Sequence, residues 1–292
     1  EFRRVLFRSL ASQLDPENLE AGENLAGVLS IHRPAQNVQS QFIQADRDVR
    51  VAHEQSGRSP STVKTATVSY IKKLLECFPA DKKEFRTSLS QIYRRSGRDL
   101  NCDRHMSVFD THGVIPEFCF GCYKLQIEPK NVIDLVKLFL FFDEIDLKKI
   151  RKCFVELRPE IPGFYKGLIY CDSVDDADEI ASRLRPRLRK QVGDYLNLDL
   201  KRGCSEYSLR YPEYANINRS GPQLMQYGDG WKDVEVMHDK TYRASEPRQI
   251  LPSLKGASLQ DAIVIRKWLD YAKGLDDPSC EDFRTDNILY PD

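Results

Sequence analysis

The residues of this 292-residue chain that could most readily do chemistry are its eight cysteines. Cys119 and Cys122 form a Cys-x-x-Cys pair, and Cys153, Cys171 and Cys204 follow at wide intervals. Thiolates can bind zinc or an iron–sulfur cluster, or cycle between dithiol and disulfide. Because no secretory signal precedes them, reduced thiols and metal ligands are favoured over a disulfide framework. The elements that carry the cysteines decide whether they meet.

Alternating strand and helix patterns between residues 118 and 211 predict those elements. Strands are expected over 118–128, 152–158, 166–171 and 198–204, with helices over 131–147 and from 173 onward. Asn131 is an N-cap, the segment beginning at Ser173 is a capping box, and Pro186 should kink or end the second helix. The order strand, helix, strand, strand, helix, strand is the ferredoxin-like β-α-β-β-α-β plan. The sequence therefore predicts an α+β protein containing a ferredoxin-like sandwich preceded by an α-helical segment.

The ferredoxin-like strand order is 4-1-3-2 with antiparallel neighbours, which brings distant cysteines to one end of the sheet. Strands 1 and 2 would begin there, and strands 3 and 4 would end there. Strands lie about 4.8 Å apart, so Cys153 on strand 2 and Cys204 on strand 4 are roughly 14 Å apart. That separation is too large for one zinc ion with Zn–S bonds of about 2.3 Å. Cys153 is therefore expected to be a bystander.

The three neighbouring strands 4, 1 and 3 predict a metal site. Its four thiolates, suited to zinc or an iron–sulfur cluster, are Cys119, Cys122, Cys171 and Cys204. Three residues just before strand 1 could replace one thiolate: Cys102, His105 and His112. Two other interpretations stay open. Thiols at strand ends can fill the margin of the core, and Cys119 with Cys122 can act as a redox dithiol.

The segment after strand 4 is a second candidate site. Tyr207, Arg210 and Tyr211 would begin at the cysteine end of the sheet and could line a pocket for a small molecule. Tyrosines that pack a loop onto the sheet would explain the same pattern. Asp110 with His112 resembles an acid–base pair, but no nucleophile accompanies it. An enzyme with a pocket at this edge is therefore an alternative hypothesis.

The stretch Tyr165-Lys166-Gly167-Leu168-Ile169-Tyr170 resembles the third strand of an RNA-recognition motif. That family stacks bases on aromatic side chains of its central strands. Here Leu168 replaces an expected aromatic residue, and strand 1 presents Lys124 and Gln126 on one face. Lys plus Arg and Asp plus Glu both number 44, for a formal net charge of +0, so no overall field attracts nucleic acid. A nucleic-acid partner is not expected, and an RNA-binding module is kept only as an alternative.

Residues 10–97 have a helical pattern, and 98–117 are expected to be a linker. Helices are predicted over 37–54, 61–77 and 81–95. The segment Leu14 to Leu29, with Asp15-Pro16 at its start, resembles a junction between two tetratricopeptide repeats. The resemblance implies a scaffold that binds a protein partner through the N-terminal helices.

The two ends complete the predicted organisation. Residues 1–9 resemble a translated adapter sequence and lack an initiator Met, so we interpret them as an artefact in front of a missing N-terminus. Residues 212–292 are expected to be an extension with a hairpin around Gly228-Asp229-Gly230 and a helix from Ser258 to Gly274. No apolar run approaches the roughly 20 residues that span a bilayer. A cytoplasmic, soluble protein without membrane contact is expected.

The leading hypothesis is a binding protein. It joins a cysteine-held zinc or iron–sulfur site, at one edge of the ferredoxin-like domain (118–211), to the helical scaffold (10–97). The alternatives are an enzyme with a small-molecule pocket at that edge, and a structural or RNA-binding interaction module without metal.

Overall fold

Helices dominate the part of the chain that the structure describes, and one antiparallel sheet accompanies them, with 52% of those residues in helices and 10% in strands. This computed structural model describes residues 19–34, 40–56, 63–79, 81–159, 161–242 and 250–283. The helices are α1 (Leu19–Leu29), α2 (Gln41–Gln55), α3 (Lys64–Leu75), α4 (Cys102–His112), α5 (Glu117–Phe120), α6 (Val132–Glu144), α7 (Val174–Gln191), α8 (Trp231–Thr241) and α9 (Leu259–Gly274). The strands are β1 (Gln91–Arg94), β2 (Tyr123–Ile127), β3 (Arg151–Val155), β4 (Tyr165–Cys171) and β5 (Asp199–Arg202). The predicted adapter residues 1–9 and residues 14–18 of the repeat-like segment lie outside the described residues.

The sheet has five strands in the order β1-β3-β4-β2-β5, and every neighbouring pair is antiparallel. Its first strand, β1, was predicted as the end of a helix over 81–95, and that prediction is wrong. Only a short 3₁₀ turn forms at Lys83–Phe85. Ile92 and Arg94 point inward and alternate with the half-buried Gln91 and Tyr93, which is the pattern of a strand. On the side of this segment that faces β3, its backbone N–H and C=O groups form their hydrogen bonds by pairing with that strand.

Three further predicted elements differ from the structure. The strand expected over 118–128 begins as the short helix α5, and β2 starts only at Tyr123. The hairpin expected around residues 228–230 is the start of α8, because Gly230 has a φ of 76° and takes the position before its first turn. Helix α7 continues through Pro186. Proline lacks the N–H group that would donate to the carbonyl of Ser182, four residues earlier. Because Pro186 and Ser182 are both exposed, water can donate to that carbonyl instead.

One hydrophobic core joins parts of the chain that were predicted to be separate. It combines side chains of α1 to α3, one face of the sheet, α6, α7 and α9, for example Leu25, Phe42, Phe139, Ile169 and Trp268. The core therefore crosses the predicted boundaries at 97/98 and 211/212. Helix α6 lies at its centre, with every residue from 132 to 143 buried. A helix that is apolar on all sides in this way belongs to the interior of a layered domain.

The buried end of α6 is completed by the side chain of Arg151 on β3. Its guanidinium donates to the carbonyl oxygens of Phe142 and Leu147 at 2.6 Å and of Ile145 at 3.3 Å. The last carbonyls of a helix have no partner within the helix, and here they are too deep for bulk water. Arg151 thus allows α6 to end inside the protein.

Arg94 forms the ion pairs that attach β1 to two helices. Its Nε lies 2.7 Å from Asp143 Oδ1 on α6, and its Nη1 lies 3.2 Å from Asp261 Oδ1 on α9. Its Nη2 donates to the carbonyl of Gly256 at 3.2 Å. All three charged side chains are buried. Asp261 also completes a capping box with Ser258 at the start of α9, so one arginine fixes three elements and a helix cap.

A smaller cluster lies beside the sheet. Ile115, Cys119, Tyr207 and Tyr214 form its buried part, with α4, α5 and α8 around it. Arg104 on α4 bridges to Glu235 and Asp239 on α8. Four of the residues that the sequence predicts as candidate site residues belong to this cluster, namely Cys119, Cys204, Tyr207 and Tyr211.

Replacing Arg94 by Met tests its role. The substitution should lower the free energy of unfolding by about 3–5 kcal/mol, because two buried carboxylates would lose their counter-ion. Equilibrium unfolding in urea measures this. The matched control is Arg95→Met, since Arg95 is exposed and should change stability by less than about 0.5 kcal/mol. Equal effects of the two substitutions would contradict the assignment.

Candidate functional site

The sheet has two faces of different character. Leu125, Cys153 and Ile169 point to the large core on the face that α6 and α7 cover. We call the other side the open face. In register across the strands, the open face carries the rows Tyr170–Lys124–Lys201, Tyr93–Lys152–Leu168–Gln126–Asp199 and Gln91–Phe154–Lys166. Lysines occur in each row, so this face is basic.

The sheet divides the predicted cysteine set between its two faces. Cys171 pairs with Tyr123 in the ladder, and both side chains belong to the large core. Cys122 precedes Tyr123, so the pleat directs it to the opposite side. Cys119 lies in the smaller cluster, with Cys204 packed against that cluster. The structure therefore separates Cys171 from Cys119, Cys122 and Cys204.

The thiols on the open side pack against different neighbours. Cys119 Sγ lies 3.5 Å from the Tyr207 hydroxyl, and Cys204 packs against the same cluster. Gly203 provides the space for Cys122, because a Cβ at position 203 would overlap with its sulfur. Burial raises the pKa of the Cys122 thiol to about 12 and that of Cys204 to about 11. Neutral thiols of this kind are poor nucleophiles at physiological pH.

The possible metal ligands outside this group are engaged elsewhere. His105 stacks on Phe118 with ring centroids 4.9 Å apart, and His112 Nε2 lies 3.2 Å from His238 Nδ1. Cys102 is exposed at the first turn of α4. Within the described ranges, no three His, Cys, Asp or Glu side chains are arranged to hold a metal ion. The zinc or iron–sulfur site stays a prediction.

The predicted pocket residues after β5 hold their segment against its neighbours. Tyr207 is completely buried, and the Tyr211 hydroxyl donates to the carbonyl of Gly113 at 2.7 Å. Arg210 covers Gly113, which has a φ of 67° and ends α4. A side chain at position 113 would collide with this guanidinium. These contacts fasten the 206–215 segment to the end of α4.

Three lysines of the open face are buried or half-buried, and they differ in their partners. Lys152 Nζ donates to Gln91 Oε1 at 2.9 Å. Lys166 Nζ donates to the carbonyl of Pro162 at 2.7 Å. Lys124 is only 7% exposed, and no described residue offers it a hydrogen bond or an ion pair. Among the described residues, Lys124 is therefore a buried cation of this face without a partner.

The electrostatic surroundings of Lys124 are unfavourable to its charge. Burial lowers the pKa of Lys124, and nearby Lys152 and Lys201 lower it further, whereas Glu206 opposes the shift. Lys201 stands directly opposite Lys124 in the ladder, and like charges in this position destabilise a sheet. The sequence indicated Lys124 as a polar residue of a strand, but it did not indicate the group of lysines on the open face. The pattern that could have predicted this group is lysines at alternate positions of several strands, on the side away from the apolar residues.

A cavity of about 160 Å³ lies near the end of β4. Its walls include Leu100, Phe118 and Tyr170, together with Cys122. Tyr170 is the cross-strand neighbour of Lys124, and Cys122 precedes Lys124 by two positions along the chain. Lys124 itself does not line this cavity.

A larger groove of about 360 Å³ follows β1, and three of the serine hydroxyls that line it already have partners. Ser30 Oγ donates to the carbonyl of Gly27, and Ser88 Oγ donates to Glu23. Ser253 Oγ donates to the carbonyl of Tyr93. Lys124 is the better starting point for a candidate site, because it is buried and no described residue gives it a hydrogen bond or an ion pair.

The chain matched no family model, no curated protein and no solved structure. Among the described helices, none combines the length and the apolar character needed to span a membrane. The function must therefore be argued from the geometry of this chain.

A substitution at Gly203 tests the packing of the thiols. Gly203→Ala should destabilise the protein by about 1–3 kcal/mol, because the added methyl group overlaps with Cys122 Sγ. Combining it with Cys122→Ala removes the sulfur and should recover part of the loss. The double-mutant coupling energy from urea unfolding measures this. Strict additivity of the two substitutions would show that the side chains do not touch.

His105 should make stability depend on pH. Burial, with a smaller effect of Arg104, lowers the pKa of His105 to about 4, below the roughly 6.5 of an unfolded histidine. Its contribution is complete above pH 6.5 and decreases as the pH falls toward 4, because the unfolded chain binds the proton more readily. We expect a loss of about 1–2 kcal/mol between pH 7.5 and 5.

The variant His105→Phe keeps a ring against Phe118 but cannot bind a proton. Its free energy of unfolding should lack this part of the pH dependence. Urea unfolding at pH 5 and 7.5 compares the two proteins. Identical pH profiles would show that His105 is not the responsible group.

Proposed function

We propose that the open face of the sheet binds a small anionic molecule, and that Lys124 pairs with its negative charge. The observation that carries this proposal is a lysine that is more than nine-tenths buried, lacks a partner among the described residues and faces a second lysine. A ligand would supply the counter-ion that the fold does not.

The energetic cost of this arrangement supports a functional role. A buried ammonium without a partner costs several kcal/mol, and packing alone would favour an apolar side chain at this position. Glu206 gives only partial compensation, because it also pairs with Arg158 at 3.4 Å. Buried ionisable groups with unfavourable surroundings are concentrated at binding and catalytic sites.

The burial of the lysines favours a small ligand over a polymer. Nucleic-acid backbones are bound mainly by accessible Lys and Arg side chains that reach the phosphates. Lys124 and Lys166 are recessed within the face, and Phe154 opposite Lys166 is also buried. A balanced net charge of +0 adds no long-range attraction for a polyanion.

We also infer that β2 to β5, with α6 and α7, form a ferredoxin-like unit to which β1 is added. Counted from β2, the strands lie in the order 4-1-3-2, and all neighbours are antiparallel. The added strand extends the edge next to β3. In this arrangement the open face is the side of the sheet opposite the two helices.

Lys124→Met separates binding from folding. Because Met is apolar and similar in length, the variant should lose anion binding and unfold with a free energy about 1–3 kcal/mol higher than the wild type. Calorimetric titration with acetate and inorganic phosphate, at constant ionic strength, measures binding. Urea unfolding measures stability.

The control is Lys201→Met, which removes the exposed lysine opposite Lys124 and should leave most of the binding. For the wild type, an anion at one hundred times its Kd should add about 2.7 kcal/mol of stability. If neither probe binds the wild type, or if Lys124→Met binds as well as the wild type, the proposal is wrong.

A further inference from the structure

Strand β1 lies at one edge of the sheet, and it pairs with a strand on one side only. In the order β1-β3-β4-β2-β5, its single neighbour among the described strands is β3. The other side of an edge strand presents N–H and C=O groups that a further extended segment can pair with. The free side of β1 is therefore a place where a peptide could add to the sheet.

The register of the ladder decides which backbone groups of β1 point outward. The N–H of Tyr170 donates to the carbonyl of Ile150 at 2.9 Å, so even-numbered positions along β3 direct their backbone groups to β4. Because these directions alternate along a strand, Cys153 directs its groups to β1, where it stands opposite Ile92. The backbone groups of the even-numbered residues of β1 thus face β3, and those of the odd-numbered residues face outward.

The contacts of Ser253 agree with this direction. Its N–H donates to the carbonyl of Arg95 at 3.2 Å, and its hydroxyl accepts the N–H of Arg95 at 3.0 Å. The same hydroxyl donates to the carbonyl of Tyr93 at 3.3 Å. Ser253 therefore occupies one end of the outer edge. Beyond it, the N–H and C=O of Gln91 and the N–H of Tyr93 have no hydrogen-bond partner among the described residues.

The groove of about 360 Å³ runs along these unpaired groups. Every residue from 88 to 93 lines it, so the groove follows the strand, and Ser30 and Gln260 also contribute to its lining. The hydroxyls of its serines are engaged, but the outward backbone groups are not. Two donors and an acceptor on one edge of a strand match the backbone of a second extended segment.

One exposed charge gives the groove a preference for acidic ligands. The charged residues that line it are Arg95 and Asp261. Asp261 is buried and paired with Arg94, whereas Arg95 is exposed and forms no ion pair with a described residue. An acidic side chain of the ligand is therefore favoured at the end of the groove that Ser253 closes.

The short length of the open edge favours a single peptide over the sheet of a second copy. Ser253 occupies the edge opposite Arg95, so pairing is open along residues 91–93, about 10 Å of strand. Two sheets that join at their edges would need a longer free strand and would bring their covering elements against the walls of the groove. One extended segment has no such covering elements.

We propose that the groove along β1 binds an extended, acidic peptide segment of a partner protein. The segment pairs with the backbone of Gln91 and Tyr93 and places a carboxylate near Arg95. This binding does not involve the open face, so either proposal can fail without the other.

The probes are random eight-residue peptides displayed on phage and selected against the full chain. We expect the enriched sequences to contain Asp or Glu, and synthetic copies of them to bind the full chain in fluorescence-polarisation titrations. Enrichment of sequences without acidic residues, or no enrichment above background, would overturn the proposal.

The variant Gln91→Pro tests the backbone pairing. It removes an outward N–H without removing a bond of the β1–β3 ladder, a position at which an edge strand tolerates proline. Loss of one hydrogen bond should weaken the binding of a selected peptide about five- to tenfold. The matched control is Gln91→Ala, which loses the same side chain and its bond to Lys152 but keeps the N–H. Equal affinities of the two variants would contradict the pairing.

The variant Arg95→Glu tests the charge preference. It should weaken the binding of an acidic peptide about tenfold at low salt, and the difference from the wild type should shrink as salt rises. The matched control is Arg185→Glu, which makes the same change of charge at an exposed position of α7. An equal loss in both variants would mean that net charge, and not Arg95, attracts the peptide.

Hydrogen exchange detects the pairing even if Gln91→Pro fails to fold. In the free chain, the amides of Gln91 and Tyr93 should exchange faster than those of Ile92 and Arg94, and the peptide should slow them about tenfold. Slow exchange of both outward amides in the free chain would mean that the edge is already paired. A dimer in sedimentation that Gln91→Pro abolishes would assign the edge to a second copy. Either result would overturn the proposal.

Discussion

The position of the whole sheet depends on one buried guanidinium. Arg94 lies between Asp143 and Asp261, and these carboxylates also receive the backbone N–H groups of Gly256 and Ser258. Without the arginine, two negative charges would face each other in the interior, where such repulsion is only weakly screened. The ion pairs therefore hold β1, α6 and α9 in one arrangement. That arrangement fixes which side of the sheet the helices cover.

Once the helices cover one side, the alternation of the strands decides the chemistry of the other. Apolar residues of β2, β3 and β4 point to α6 and α7, and the intervening lysines are left on the open face. The same alternation divides the cysteines. Cys153 and Cys171 become core residues, whereas Cys119 and Cys204 belong to the smaller cluster and Cys122 lies on the open side. Among the described residues of the open face, Lys124 is the buried charged group without a partner.

Part of this structure could be predicted from the sequence, because some signals are local. Helix α6, the N-cap at Ser173, the capping box at Ser258 and strands β2 to β5 follow from periodicity and caps in short windows. Strand β1 could not, since four residues with two polar side chains become a strand only by pairing with β3, about sixty positions away. The glycines around Gly230 predicted a hairpin, but the positive φ that glycine adopts in a hairpin turn is also the conformation of Gly230 at the start of α8.

The candidate site shows the same limit. The positions of the strand ends predicted which cysteines lie at the same edge of the sheet. Which face a cysteine lies on depends on whether its position in the strand is odd or even, and Cys171 is one residue out of step with the cysteines of the open side. Lys124 was visible as a lysine in a strand. Its burial was not, because burial comes from the covering segments around Cys204 and Glu206, which reach it only in the folded chain.

Helix α6 also determines how the molecule can come apart. Because it is buried from residue 132 to 143 and contacts the sheet, α3, α7 and α9, none of these layers can leave without exposing it to water. The cost of that exposure is shared by all of them, so the large core should open as one cooperative unit. The smaller cluster of α4, α5 and α8 lacks such a central element. It can open locally while the core stays closed, which would place the slowest amide exchange along α6 and the fastest beside the cysteines.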